Sequence, residues 1–472
     1  MVRIVLYISL ICLFSSCSDN FLDKQPSYAT PTDKLFASAQ GIKSALNGCY
    51  NQLQSHYYYG RNFILIQETY TDNAKLSNTN VGNFSSFYNW SVTSNNEDIN
   101  QLWAICYNII TNVNAILEAS ETHTELSENE RQTIQGEAYT LRALVYFDLI
   151  RMFAHEYTTT SGIDGANGKG GHLGVPLITQ TISLDSAKRI NRATVATVFS
   201  QIISDALKAD TLLINQTFSP LRCNQKTAQS IAAMIYLTIK DYNKAIEYAN
   251  KALETISLEP SSSYVTSWRE KYSSESIFSV SNTETDNPGT NSIGHMLSPK
   301  GYGGIVPSAD LLNLYSNQDI RSQFIEKNQE DFFIKYPGQN NVLGIDNIPI
   351  IRASELYFII AESYANKGKT VAGFYPLAQQ ALEAIVHRAN NSAEPITLIG
   401  DELISKIHEE YRKEFAFEGK RFFQLKRMHA DISRTNCISS QCNLIYGNSK
   451  YAFPIPYTDI QTNKNILQNP GY

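Results

Sequence analysis

The chain has no basic surplus. Its 39 Lys and Arg stand against 45 Asp and Glu, a formal net charge of −6 over 472 residues. That balance gives no reason to expect nucleic acid or an acidic polymer as partner. Ligand-spaced cysteine and histidine are also missing. His429 is the nearest histidine to the pair Cys437 and Cys442, and no second pair has metal spacing, so no metal site is expected. Catalytic patterns fail one by one. His408-Glu409 is followed at position 412 by Arg where a zinc helix needs His. Gly168-Lys169 is followed by Gly rather than Ser or Thr. No Gly-x-Ser-x-Gly elbow occurs. No cofactor and no enzymatic activity are expected. Tryptophan is scarce too, with 3 against 28 Tyr and 21 Phe. A tyrosine surplus suits surfaces that are half wet and half packed.

No apolar run after residue 16 is long enough to span a bilayer. The run before it, Ile4 to Phe14, is about half the ~20 residues a spanning helix needs. It follows Arg3 and precedes Ser15 and Ser16, the charged, apolar and small-residue layout of a cleaved signal. Cys17 stands where a bacterial lipoprotein signal needs its acceptor, so residues 1–16 are expected to be removed and Cys17 lipidated. Losing Arg3 takes the formal charge from −6 to −7. Residues 17–32 read as a polar, proline-containing tether, and 33–472 as a single domain with halves of about 33–257 and 258–472.

What is present is helical periodicity. Apolar residues recur three and four apart over Gly41–Leu53, Asn100–Ser120, Asn129–Phe153, Thr194–Leu213, Gln225–Leu237, Asn243–Ile256, Ser354–Asn366, Tyr375–Ala389 and Asp401–Glu418. Gly419 reads as the C-terminal cap of the last. A small residue three before a tyrosine, then a polar turn and a second helix with small residues, occurs as Ala233, Tyr236, Ala245, Ala249 and Ala252 and again as Ala361, Tyr364, Ala378, Ala381 and Ala384. It resembles a tetratricopeptide unit, in which alanines let two helices approach while a tyrosine fills the gap above. Large insertions separate the units, which predicts a scaffold carrying loops rather than a continuous solenoid. Thr158–Gly174 and Ser261–Pro307 are the long irregular stretches, with a strand over Ile277–Val280 and a small hairpin within Asn436–Ile455. The expected class is mostly α with a minor β-hairpin component. Cys49, Cys106 and Cys223 read as buried hydrophobes. Cys437 and Cys442 flank a short polar stretch in an exported chain and predict a disulfide.

Arg352, Glu355 and Glu362 share roughly one helical face, and Arg388, Glu409, Arg412, Glu418 and Arg421 recur in later helices. They predict a partly buried structural ion network, since buried charges must be paired. An acid–base cluster is the competing reading. Loop aromatics are the candidates for ligand contact: Phe87, Tyr88 and Trp90 in one Asn/Ser-rich segment, and Trp268, Tyr272 and Tyr302 in or beside Ser261–Pro307. A flat ring can cover the C–H face of a sugar or a peptide side chain while neighbouring amides and hydroxyls read its polar edge. The competing reading is that these rings pin loops to the scaffold. The triple Tyr57-Tyr58-Tyr59 reads as a helix end packed into the body.

Six stretches together resemble the SusD/RagB family. They are Glu68-Thr-Tyr-Thr-Asp72-Asn-Ala, Gly136-Glu-Ala-Tyr-Thr-Leu-Arg142-Ala, Val306 to Tyr315 with Asp319-Ile-Arg321, Arg352 to Glu362, Glu409 to Arg427, and Phe453-Pro-Ile-Pro456 with Gln468 to Tyr472. The resemblance covers nearly the whole mature chain. It implies a SusD-like fold of tetratricopeptide-like pairs beneath a loop-rich ligand face. It also implies an outer-membrane lipoprotein of Bacteroidetes, a lid on a SusC-like TonB-dependent β-barrel transporter, capturing oligosaccharide or peptide. Ser18-Asp19-Asn20 partly resembles that phylum's surface-export signal, with one acid where more are common. The loops carry no motif that names a sugar. The alternative function is a lipid-anchored helical-repeat scaffold that binds protein partners and no nutrient.

Overall fold

The computed structural model describes residues 32–472. Cys17, the signal and the tether lie outside the described residues, apart from Thr32. After a short helical turn at Thr32–Leu35 come α1 (Ala39–Leu53) and α2 (Asn62–Tyr70). They are followed by α3 (Glu97–Thr122), α4 (Glu128–Phe153), α5 (Val195–Leu212), α6 (Gln225–Thr238) and α7 (Tyr242–Leu253). After a long loop region come α8 (Ala353–Gly368), α9 (Tyr375–Ala389), α10 (Gly400–Glu414) and α11 (Arg421–Arg427). Among the described residues no helix is long and apolar enough to cross a membrane.

The starts follow local chemistry. Asn96, Thr194, Asn224 and Asp241 each accept from a backbone N–H in the first turn of α3, α5, α6 and α7. Ser127 and Glu130 close a reciprocal capping box on α4. The last predicted boundary is different. α10 ends at Glu414, not at Glu418, and Gly419 is not its cap. Gly419 has φ +70°, and a Cβ there would lie 2.8 Å from the Cα of Ile64. Its N–H donates to Glu68 Oε1 at 2.9 Å. This glycine lets the turn after α10 press against α2.

Helices α3 to α9 pack one on the next in chain order, and α10 packs on α8. The row is continuous in space although the chain leaves it after α7 and returns only at α8. The insertion is therefore a detour from an unbroken helical layer, a closer approach to a solenoid than the insertions predict. Ala233, Ala245, Ala249 and Ala252 are fully buried where α6 meets α7, and Tyr236 stacks on Tyr248 at 5.5 Å between ring centroids. Ala361, Ala365 and Ala378 repeat the arrangement between α8 and α9. One apolar core runs from Ile42 to Ile466.

The strands are short antiparallel pairs that fasten loops. β1 (Ala74–Leu76) pairs with β5 (Ile305–Pro307), and β2 (Leu173–Pro176) with β3 (Arg192–Thr194). β4 (Ser276–Val280) pairs with β8 (Ile348–Arg352), and β6 (Ile325–Lys327) with β7 (Asp331–Phe333). β9 (Ile432–Ser433) pairs with β10 (Asn443–Leu444). This last hairpin starts upstream of the predicted Asn436, and Cys437 and Cys442 are joined by a disulfide across its turn.

Candidate functional site

The six loop aromatics expected near ligand divide sharply. Phe87, Tyr88 and Trp90 are buried, each exposing 1 % or less. Trp90 Nε1 donates to the Tyr70 carbonyl at 2.9 Å, and Phe87 packs near Phe453. Arg434 places its guanidinium 4.4 Å from the Tyr88 ring centroid and 4.1 Å from that of Trp90. It also donates to the carbonyls of Thr69, Tyr70, Thr71 and Tyr88. The polar-looking segment is thus a plug held from inside by one arginine, and these three rings present no face to a ligand. Tyr58 and Tyr59 are likewise buried, both donating to Asp148 Oδ2.

Trp268 and Tyr272 stay near the surface and line one cleft of about 330 Å³ with Ser273, Asn347, Pro349 and Arg352. Tyr272 is half exposed. Trp268 stands edge-on to Phe324 and Tyr336, at 5.8 and 5.7 Å, which sets its ring angle. Lys335 and Arg352 sit 4.9 and 5.6 Å from the ring centroid. Lys271 and Asn347 belong to this cleft and also to a second one of about 540 Å³, lined by Asn282, Thr283, Gln339 and Asn340. The two form one groove. Asn347 is its hinge-post: its Nδ2 donates to Lys271 O and its Oδ1 accepts from Asn282 N, both at 2.6 Å.

Tyr302 lies apart. The loop from 281 to 304 runs from the groove along the end of α1, where Gln54 donates to Ser281 O and Asn51 to Asp286. It then reaches the turn before α2, where Ile293 N donates to Gly60 O at 3.1 Å. There half-exposed Tyr302 stands in the electrostatic field of Arg61 with Tyr57 and Asp98. Burial lowers the Arg61 pKa, and the acidic neighbours pull the other way. All three outward-facing candidates therefore belong to the one irregular region between α7 and α8.

Beneath the groove lies the charge cluster. Arg352 donates to both carboxylate oxygens of Glu418 at 2.9 and 2.7 Å, to Glu414 at 3.1 Å, and to Glu275. Arg388 donates to Glu414 at 2.7 Å. Arg321 holds Asp319, Glu410 and Glu414, and Lys335 holds Glu418. Burial alone would lower the Arg352 pKa, but the surrounding carboxylates outweigh it and hold it well above the usual value. Burial would raise Glu414, but Arg388, Arg352 and Arg321 bring it well below the carboxylate range.

The single network read from the sequence is four separate groups. Arg352, Arg388 and Glu418 form the central one. Glu355 binds Lys420 at 2.9 Å, and Glu362 binds Arg427 and His408. Arg412 and Arg421 both bind Asp72 of the turn after α2. Glu409 is surface-exposed and pairs with Lys406 at 2.7 Å. Helical spacing could not separate these groups, because their partners come from distant elements. Glu275, Arg321, Lys335, Glu410 and Glu414 were missed. Glu410 and Glu414 sit four apart on α10, a visible signal, but Lys335 lies in a loop and Glu275 meets Arg352 only through the β4–β8 pairing.

Known proteins place this architecture. A family model described as "Starch-binding associating with outer membrane" matches residues 20–237, and the SusD family model matches residues 333–472. The chain is similar to SusD-like protein P2 of Formosa agariphila, 24% identical over 99% of each chain. It also resembles the starch-binding protein SusD of Bacteroides thetaiotaomicron, 28% identical over 27% of this chain and 22% of that one. A solved SusD superfamily protein from Bacteroides vulgatus superposes with a TM-score of 0.83 at 27% identity, covering 92% of this chain and 99% of the other. The surface glycan-binding protein A of Bacteroides fluxus shares the fold, with a TM-score of 0.73 at 18% identity over 92% and 100% of the two chains. Two family models in chain order, relatives along the whole length and the matching helical fold make this chain a member of the SusD/RagB family.

Proposed function

We propose that the chain is a non-enzymatic outer-membrane lipoprotein that captures an oligosaccharide on its loop face and hands it to a SusC-like TonB-dependent transporter. Cys17 carries the lipid, and the body faces the cell exterior. The observation that carries this reading is the groove running from Trp268 and Tyr272 to Asn282 and Gln339. Rings at one end suit a sugar's C–H face, and amides at the other suit its hydroxyls. The family description names starch binding and outer-membrane association, which supports both halves of the proposal.

The test has two arms. Gentle detergent extraction of outer membranes should recover the protein together with a large β-barrel protein, whereas free monomer alone would sink the delivery step. Binding of oligosaccharides to the purified mature chain should weaken in Tyr272→Ala, about tenfold for one lost ring contact with its hydrogen bond. A scaffold that binds only proteins would bind no sugar at all.

A further inference from the structure

We infer that the groove selects uncharged glycans and turns away uronate-bearing or sulfated ones. The inference rests on the proposed function and adds the chemical class of the sugar. Among the described residues, the charged side chains lining the groove away from its floor are Glu270, Lys271 and Glu284, two acids against one base. They leave the mouth slightly negative.

The other cation on the wall is Arg352, and it is committed elsewhere. It is 2 % exposed and its guanidinium already donates to Glu418, Glu414 and Glu275. Lys335, beside Trp268, is 1 % exposed in its side chain and bound to Glu418 Oε1 and to the carbonyls of Glu414 and Ala416. An anionic sugar is held by charge-assisted bonds, most often from an arginine fork. Here the arginine nearest the groove points its fork into the protein. Among the described residues lining the groove, the one base an incoming carboxylate or sulfate would meet outside the buried cluster is Lys271, accompanied by two acids.

The remaining lining suits neutral hydroxyls. Thr283 and Asn340 are exposed, Gln339 and Ser273 half-buried, and each offers both donor and acceptor atoms or a hydroxyl. Asp346, buried behind this wall, does not supply a firm charge. Burial pushes its carboxyl up to about 7, with the Gly338 N–H and Arg269 pulling it back.

The experiment is a calorimetric titration of the full mature chain, in detergent, against two glycan sets. Malto-, xylo-, manno- and galacto-oligosaccharides form the neutral set, and oligogalacturonate and a sulfated glycosaminoglycan oligomer the anionic set. A neutral oligosaccharide should bind, with affinity changing less than about twofold between 50 and 500 mM salt, since no ion pair is screened. The double variant Tyr272→Ala/Gln339→Ala should lose at least about tenfold in affinity. Circular dichroism melting verifies that the variant is folded. Tightest binding by an anionic glycan, weakened by salt, would overturn the neutral class and leave glycan capture standing. Neutral binding unchanged in the folded double variant would overturn the groove as the site. Binding to neither set would overturn glycan capture itself.

Discussion

Glu414 shows how much one side chain can hold. It is fully buried on α10 and accepts from Arg352, Arg388 and Arg321, and from the Tyr264 hydroxyl at 2.8 Å. Neutralising it leaves three guanidiniums with too few carboxylates in a region closed to water. Removing one partner of a buried ion group costs about 3–5 kcal/mol. Glu414→Gln should therefore lower the urea midpoint by that much stability. Glu409→Gln, one turn away on the exposed side of the helix, should change it by no more than about 0.5 kcal/mol. Equal effects would show that the cluster does not carry the docking of α10. Residue identity made both glutamates look alike in the sequence, and only the direction each faces separates them.

Elements were more legible than residues. Helix-period patterns located α1 and α3 to α10 to within a few residues, because each buries one stripe against a neighbour. The long tail of α10 misled, since Phe415 to Glu418 continue an apolar pattern while leaving the helix to bury Phe415 and Phe417. The repeat pattern was legible because Ala is forced wherever two helices touch closely. Ala249 has no room beside α6, so Ala249→Leu should cost about 1–3 kcal/mol by overpacking, read as a lowered thermal midpoint. A neutral outcome would mean that the α6–α7 contact has slack. The aromatic plug was not legible. Phe87, Tyr88 and Trp90 sit among Asn and Ser, as a surface loop does, and the arginine that buries them is hundreds of residues away at 434.

At the scale of the molecule, the acidic groups set the response to pH. Arg421 and Arg412 bring Asp72 down to about 2 against its burial, and Arg321 and Lys413 do the same for Glu410. Glu362 and Glu414 are lowered too. A depressed folded pKa stabilises above the unfolded value and stops doing so as pH falls through the folded one. Stability should therefore drop steeply from about pH 4.5 toward pH 2. Glu68, raised by burial to about 7, and Asp346 act oppositely. Their contribution is complete below the unfolded pKa and declines as pH rises toward 7. Urea midpoints across pH 2 to 8 should thus peak on the acid side of neutrality. A profile flat between pH 4.5 and 2 would remove the charge clusters as a source of stability.

The sequence by itself determined the helices, the alanine-lined seams between them and the order of family signatures. All of these are written in neighbours along the chain, where spacing is the physical constraint. Tertiary structure alone decided which loop aromatics face outward, how one apparent charge network became four, and where the groove lies. Those outcomes depend on contacts across the long excursion between α7 and α8. Its backbone is fastened by β4–β8 and by Asn347, and burial there is settled by distant partners such as Arg434 and Glu418 rather than by local pattern.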